Sequence, residues 1–249
     1  MRIVAHLSDL HFGRVDRAVL DPLRRRLEQL APDVVVISGD LTQRARAQQF
    51  REARAYLDTL PKPQVVVPGN HDVPLYNVFA RFLRPLAGYR RFIADDLEPG
   101  FVDEEIAVLG INTARSFVFK GGRVSEGQLG MVREKLCHLE GKVTTILVTH
   151  HPFMALHKLL DCGIDVLLAG HLHATHIGHA AERVEGLSAL LVQAGTATSH
   201  RTREEPNSFN LLRIRRRRID VEQYALRGRG FSRAATQIFE WENGWRRSG

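Results

Sequence analysis

Apolar residues along this chain alternate between short unbroken runs and helical spacing. Ile3 to Leu7 is a short apolar run, and Arg17 to Leu30 places Val19, Leu20, Leu23, Leu27 and Leu30 on one helical face. Asp33 to Ser38 spells DVVVIS, a continuous strand. Arg44 to Leu60 returns to helical spacing until Pro61 stops it, and Gln64 to Val67 is a third run. Strands that are apolar throughout are covered on both faces, so these runs predict a buried sheet built from βαβ units. Residues 73 to 105 lose the rhythm and mix Tyr76, Phe79, Phe82, Tyr89 and Phe92 with Arg90 and Arg91, which predicts a helical excursion beside the site. Strand character resumes at Ile106 to Ile111. A helix is predicted over 125–139 with Ser125 as its N-cap, followed by buried strands at Val143 to Thr149 and Val166 to Ala169. Beyond Ala189 the helical spacing fades. Ala189 to Ala194, Phe209 to Ile214 and Ile219 to Tyr224 predict antiparallel strands, with one more at Thr236 to Glu240. No repeat, linker or shift in composition divides the chain, so residues 1–249 are expected to form a single domain.

Composition narrows this picture. At 249 residues and 44% hydrophobic, the chain can bury a core without covalent staples. Its two cysteines, Cys137 and Cys162, are far apart and lack a CxxC partner, so no disulfide is expected and a reducing, cytoplasmic setting fits. The N-terminus has no signal-peptide apolar core, and no run of about 18 apolar residues predicts a membrane span. A net charge of +7 favours anionic partners without choosing among them. The basic run Arg213 to Arg218 is interleaved with Ile214 and flanked by Leu211, Leu212 and Ile219. It reads as a solvated edge strand, which leaves nucleic acid as the weaker partner.

Five short motifs each follow a predicted strand: Asp9-Leu10-His11, Gly39-Asp40, Gly69-Asn70-His71-Asp72, Thr149-His150-His151-Pro152 and Gly170-His171-Leu172-His173. Ligand sites of open α/β sheets collect at the carboxyl ends of strands, so the five would meet at one edge. Carboxylate, amide and imidazole donors without thiolates suit Mn, Fe or Zn at a catalytic rather than a structural site. Two such ions about 3.5–4 Å apart need a carboxylate shared between them.

The ordered set D-x-H, GD, GNHD, H, GHxH resembles the signature of calcineurin-like metallophosphoesterases over about two thirds of the chain. The resemblance implies a four-layer α/β sandwich, two mixed β-sheets flanked by helices. It implies two metal ions, one held by Asp9, His11, Asp40 and His173 and the other by Asp40, Asn70, His150 and His171, with Asp40 bridging. Of the adjacent His150 and His151, the family's HHP segment favours His150 as ligand, leaving His151 to line the pocket. It places His71 beside the scissile phosphate, where an imidazole can protonate the leaving oxygen. Asn70, His71 and Arg115 are then candidate substrate contacts, with Asn112 and Thr113 beside them.

The text GDLTQR and GNHD departs from the GDxVDRG and GNHE of the protein-phosphatase branch, and His71 departs from the GNRD of lipid A precursor hydrolases. Compact length, GNHD and HHP together resemble bacterial class III cyclic-nucleotide phosphodiesterases, so a small phosphodiester is the expected substrate. A nuclease or a phospholipid-type phosphodiesterase is the enzymatic alternative, and a non-catalytic metal-binding module the third reading. A homodimer is consistent with the resemblance. Outside the ligand set, Asp72 is expected to fix a turn, His6 to be a satisfied sheet histidine, and His138 and His157 to lie on the surface.

Overall fold

Three parallel strands open the chain: β1 (Arg2–Leu7), β2 (Val34–Ile37) and β3 (Gln64–Val66), with Val4 opposite Val34 and Val35 opposite Gln64. Helix α1 (Arg17–Leu30) and helix α2 (Ala47–Thr59) make the crossovers. The helical face read from the sequence is the buried one in α1, through Val19, Leu23 and Leu27. Asp16 accepts the amide of Ala18 at the start of α1, and Ala31 closes it in the left-handed region at φ 45°. The computed structural model describes residues 1–115, 122–152, 162–180, 186, 188–200 and 205–248. His157 lies outside them.

The excursion after β3 contains two six-residue helices, α3 (Val78–Leu83) and α4 (Ala87–Phe92). It also contains a strand the sequence did not signal, β4 (Gly100–Val102), paired antiparallel with β5 (Ile106–Gly110). Helix α5 (Glu126–Leu136) begins where predicted. Ser125 accepts the amide of Gln128, and the Gln128 side chain reaches back to Ser125. Strands β6 (Thr144–Val148) and β7 (Val166–Ala169) extend the second sheet in parallel with β5. That sheet ends with β9 (Leu190–Gln193) and, at its far edge, β8 (His176–His179). Strands β10 (Ser208–Arg215), β11 (Arg218–Arg227), β12 (Gly230–Trp241) and β13 (Trp245–Ser248) return to the first sheet as an antiparallel meander against β1.

Two mixed sheets result, ordered β13-β12-β11-β10-β1-β2-β3 and β4-β5-β6-β7-β9-β8. Side chains that alternate along each strand sort into different layers. Val34 and Val36 of β2 enter the core between the sheets with Val148, Val166 and Leu212, whereas Val35 and Ile37 face α1 and α2 with Leu23, Leu27 and Phe50. Leu147 and Leu167 face outward onto Leu129, Val132 and Leu136 of α5. The four-layer sandwich with two mixed sheets is therefore the fold, and the unbroken apolar runs are strands buried on both faces.

Three expectations need correction. Strand β9 runs parallel to β7 and is antiparallel only to β8; an apolar run says that a strand is buried but not which way its neighbours run. Strand β10 is not an edge but lies between β11 and β1. Its arginines are matched by acids of β11 across the ladder, Arg213 with Glu222 at 3.0 Å and Arg215 with Asp220 at 2.8 Å, and Arg218 of β11 pairs with the same Asp220 at 2.8 Å. Lastly, Cys137 and Cys162 are joined by a disulfide. Cys137 sits in the short turn after α5 and Cys162 just before β7, so that the layer of α5 against the second sheet brings together residues 25 apart in the chain.

Candidate metal centre

Each of the five motifs lies at the carboxyl end of a strand: Asp9 after β1, Asp40 after β2, Asn70 after β3, His150 after β6 and His171 after β7. The loops that carry them are bonded to one another. Asp9 N donates to Gly39 O at 3.1 Å, His11 N to Asp40 O at 2.9 Å, Gly170 N to His150 O at 3.1 Å, and His171 N to Asp9 Oδ2 at 3.1 Å. Asp9, His11, Asp40, His171 and His173 all have φ between 52° and 73°. Such left-handed backbone costs a non-glycine residue on the order of 1 kcal/mol. These five residues are better suited to a site than to fold stability.

Two groups of donors converge. Asp9, His11, Asp40 and His173 form one. There His11 Nε2 lies 3.5 Å from Asp9 Oδ1, 3.7 Å from Asp40 Oδ2 and 3.3 Å from His173 Nε2. In the other, Asn70 Oδ1 lies 3.0 Å from both His150 Nε2 and His171 Nδ1, and His150 Nε2 is 3.4 Å from Asp40 Oδ1. Asp40 thus turns one oxygen to each group. The carbonyl of Ser38 can only accept, so His150 donates Nδ1–H to it at 2.7 Å, which turns Nε2 towards Asn70 and Asp40 as the atom that would face a metal. His173 Nδ1 pairs with Thr196 Oγ1 at 3.0 Å. These are the outer contacts that orient imidazole ligands.

The arrangement fits a pair of cations. Asp9 and Asp40 are buried carboxylates, and Asp9 Oδ1 accepts no hydrogen bond. Burial alone would push both carboxyls up, yet the histidines around them hold both below the usual range, Asp40 well below. Burial lowers His150 too, but Asp40 prevails and raises it to about 9. A cation in each group would satisfy the same carboxylates without protonating the imidazoles.

The structure brings all seven predicted ligands together, and His71 with them. His71 N donates to Asp40 Oδ1 at 2.8 Å, its Nδ1 donates to Gln43 O at 2.9 Å, and its ring meets His11 edge-on at 5.0 Å. Asp72 is the turn-former expected: it accepts from the amides of Leu41, Thr42 and Gly69 and locks the loop after β2 onto the loop after β3. Burial, with Asp40 nearby, raises its carboxyl to about 6. His151 lies with His150 and His171, but its Nδ1 pairs with Thr113 Oγ1 at 2.8 Å. Arg115 is bonded within its own loop and to α5. Its guanidinium donates to Asn112 O, Ala114 O and Gln128 Oε1, bracing the loop against α5. Asn112 caps that same loop through Ala114 N. Ser38, Gln43 and Thr196 had no signal in the sequence, because two act through backbone carbonyls and the third follows a strand of the other sheet.

The calcineurin-like phosphoesterase family profile matches residues 3–175. The chain belongs to this family. It is similar to the glycerophosphodiester phosphodiesterase GpdQ of Enterobacter lignolyticus, 28% identical over 170 residues, 62% of this chain and 58% of that protein. It is similar to a probable cyclic nucleotide phosphodiesterase of Synechococcus, 22% identical over 246 residues, 85% of this chain and 87% of the relative. It also resembles the 3′,5′-cyclic adenosine monophosphate phosphodiesterase CpdA of Escherichia coli, 26% identical over 181 residues, 68% of this chain and 61% of that one. The chain therefore spans less than two thirds of the length of GpdQ and CpdA.

Among solved structures, the purple acid phosphatase PPD1 of yellow lupin superposes with a TM-score of 0.70 at 12% identity, covering 90% of this chain and 51% of that one. Vps29 of Chaetomium thermophilum superposes with a TM-score of 0.55 at 16% identity, covering 96% and 99%. These two show the shared fold. Calcineurin-like phosphoesterases depend on two metal ions, and the His/Asp groups are where this chain offers ligands for them. Among the described residues, no helix is long and apolar enough to cross a membrane.

Proposed function

We propose that this metallophosphoesterase hydrolyses a small phosphodiester, a 3′,5′-cyclic nucleotide first among them. The observation that carries the reading is Asp40. Its two carboxylate oxygens face two separate donor groups while its Oδ1 also holds the backbone of His71, so both metal positions and the imidazole share one rigid reference. Asp9, His11, Asp40 and His173 would hold one ion, and Asp40, Asn70, His150 and His171 the other. Ions held there supply Lewis acidity towards phosphoryl oxygens and acidify water at neutral pH. His71 is oriented by its Nδ1 bond to Gln43 O, which assigns proton delivery to the leaving oxygen to Nε2. The phosphodiesterases among the relatives support a diester over a monoester. The pairing of Arg213, Arg215 and Arg218 with acids weakens the nuclease alternative, which rested on basic charge.

The test is turnover of 3′,5′-cAMP, 2′,3′-cAMP, bis(p-nitrophenyl) phosphate and p-nitrophenyl phosphate by the Mn-loaded protein. Diesters turned over well above the monoester support the reading, and a preference for the monoester overturns it. His71→Ala should lower turnover by roughly a hundredfold or more while metal content stays that of the wild type. Loss of metal would remove His71 from the role given to it.

A further inference from the structure

The segment that follows the GNHD turn has a surface the phosphodiesterase reading does not use. Among the described residues, Tyr76, Val78, Phe79, Phe82 and Leu83 are exposed large hydrophobics clustered in or just before α3, with Phe79 80% and Leu83 76% exposed. Scattered exposed apolar residues need no explanation, but a cluster of this kind marks a contact surface. It borders the candidate site: Gln43 O accepts from His71, and the next residue, Arg44, lies over the Tyr76 ring at 5.6 Å. Leu172, between His171 and His173, is also exposed.

Charge decides which occupant the surface fits. From Val73 to Ala94 there is no Asp or Glu, and of the four arginines Arg81 is buried and Arg90 pairs with Asp95 at 2.9 Å, which leaves Arg84 and Arg91 for an outside partner. Arg84 closes α3, and neither it nor exposed Arg46 makes an ion pair among the described residues. An acid-free stretch that offers aromatic and aliphatic side chains between arginines has the make-up of an interfacial anchor, with apolar groups entering the headgroup boundary and guanidinium groups meeting phosphates. A second copy of the same surface would set Arg84 against Arg84 with no acid between Val73 and Ala94 to answer it.

We infer that the 76–84 surface docks the protein on an anionic phospholipid bilayer, with the metal centre beside the contact. The contact is peripheral. It does not depend on what the site hydrolyses, and its test reads binding rather than turnover.

The experiment is co-sedimentation of the metal-loaded protein with vesicles of phosphatidylcholine alone or with about one third phosphatidylglycerol. The wild type should pellet with the anionic vesicles and not the neutral ones, and 0.5 M NaCl should release it. The double substitution F79S/L83S should weaken binding roughly tenfold or more, with hydrolysis of bis(p-nitrophenyl) phosphate in solution unchanged. R84E should weaken it separately, which covers the case of a poorly folded double variant. A blue shift of F79W emission on adding anionic vesicles would place residue 79 in the lipid, since Trp241 and Trp245 are on the distant β12–β13 hairpin. Equal binding to neutral vesicles, or none to anionic ones, overturns the inference. So does a wild-type dimer in light scattering that F79S/L83S converts to monomer, because a second copy would then cover the surface.

Discussion

At the scale of single residues, Asp40 carries the greatest weight, since one carboxylate serves two donor groups. Asp40→Asn removes the negative charge between the two positions. Metal retained after desalting should fall at both of them, with affinity lowered by roughly a hundredfold or more, as measured by elemental analysis. Thr196→Val removes only the hydroxyl on His173 Nδ1 and should weaken metal binding roughly 10- to 100-fold while leaving the ligand set complete; an unchanged affinity would make Thr196 a packing residue. His6 gives a pH signature in stability rather than in turnover. It is buried against Ser38 Oγ at 2.9 Å, and burial lowers it from 6.5 to about 3. The unfolded chain takes up a proton between those values and the folded protein does not. His6 thus contributes stability in full above pH 6.5 and loses it as pH falls, by at most about 1.4 kcal/mol per pH unit. Urea titrations at pH 7, 6 and 5 should show a steeper loss for the wild type than for His6→Gln.

At the scale of elements, the strands were legible and their ends were more informative than their middles. DVVVIS, and the short runs at 64–67 and 166–169, could be read as doubly buried strands because no polar residue interrupts them. The ligand motifs stood out because each begins where such a run stops. The Ser125 cap was legible for a local reason, its bond spanning only three residues. Ser125→Ala should cost about 1 kcal/mol in thermal or chemical unfolding, without touching metal content. Contacts between elements were not legible. Gly170 is an example: a Cβ there would strike Ser8 Oγ, in the loop after β1, and approach Asp9 Oδ2 at 2.9 Å. Gly170→Ala should therefore lower both metal occupancy and stability, the latter by about 1–3 kcal/mol. An alanine variant with full metal content would show that the two loops can part.

At the scale of the whole molecule, the centre joins the two sheets. Asp9, Asp40 and Asn70 come from the first, and His150, His171 and His173 from the second. Ions held there would link the halves of the sandwich, and any ion that binds only the folded chain adds stability by mass action. The gain is about 2.7 kcal/mol per site when free metal is a hundred times its Kd. Chelation should lower the melting temperature, and Mn added back should restore it in proportion to its concentration. A melting temperature indifferent to metal would mean that the donors do not bind it in the folded state.

The sequence by itself determined the residue types at each strand end, the covering of both strand faces and the local caps, because these depend on neighbours a few positions apart. It determined the candidate ligand set for the same reason, since donors placed at the ends of buried strands have one edge on which to meet. The resemblance already placed Asp40 between two groups; only the tertiary structure decided that Ser38, Gln43 and Thr196 orient the imidazoles. It alone placed the basic strand β10 in the interior with acids opposite, and Cys137 beside Cys162. Each of these depends on a contact between segments distant in the chain, and its partners are chosen by the packing of layers rather than by any local pattern.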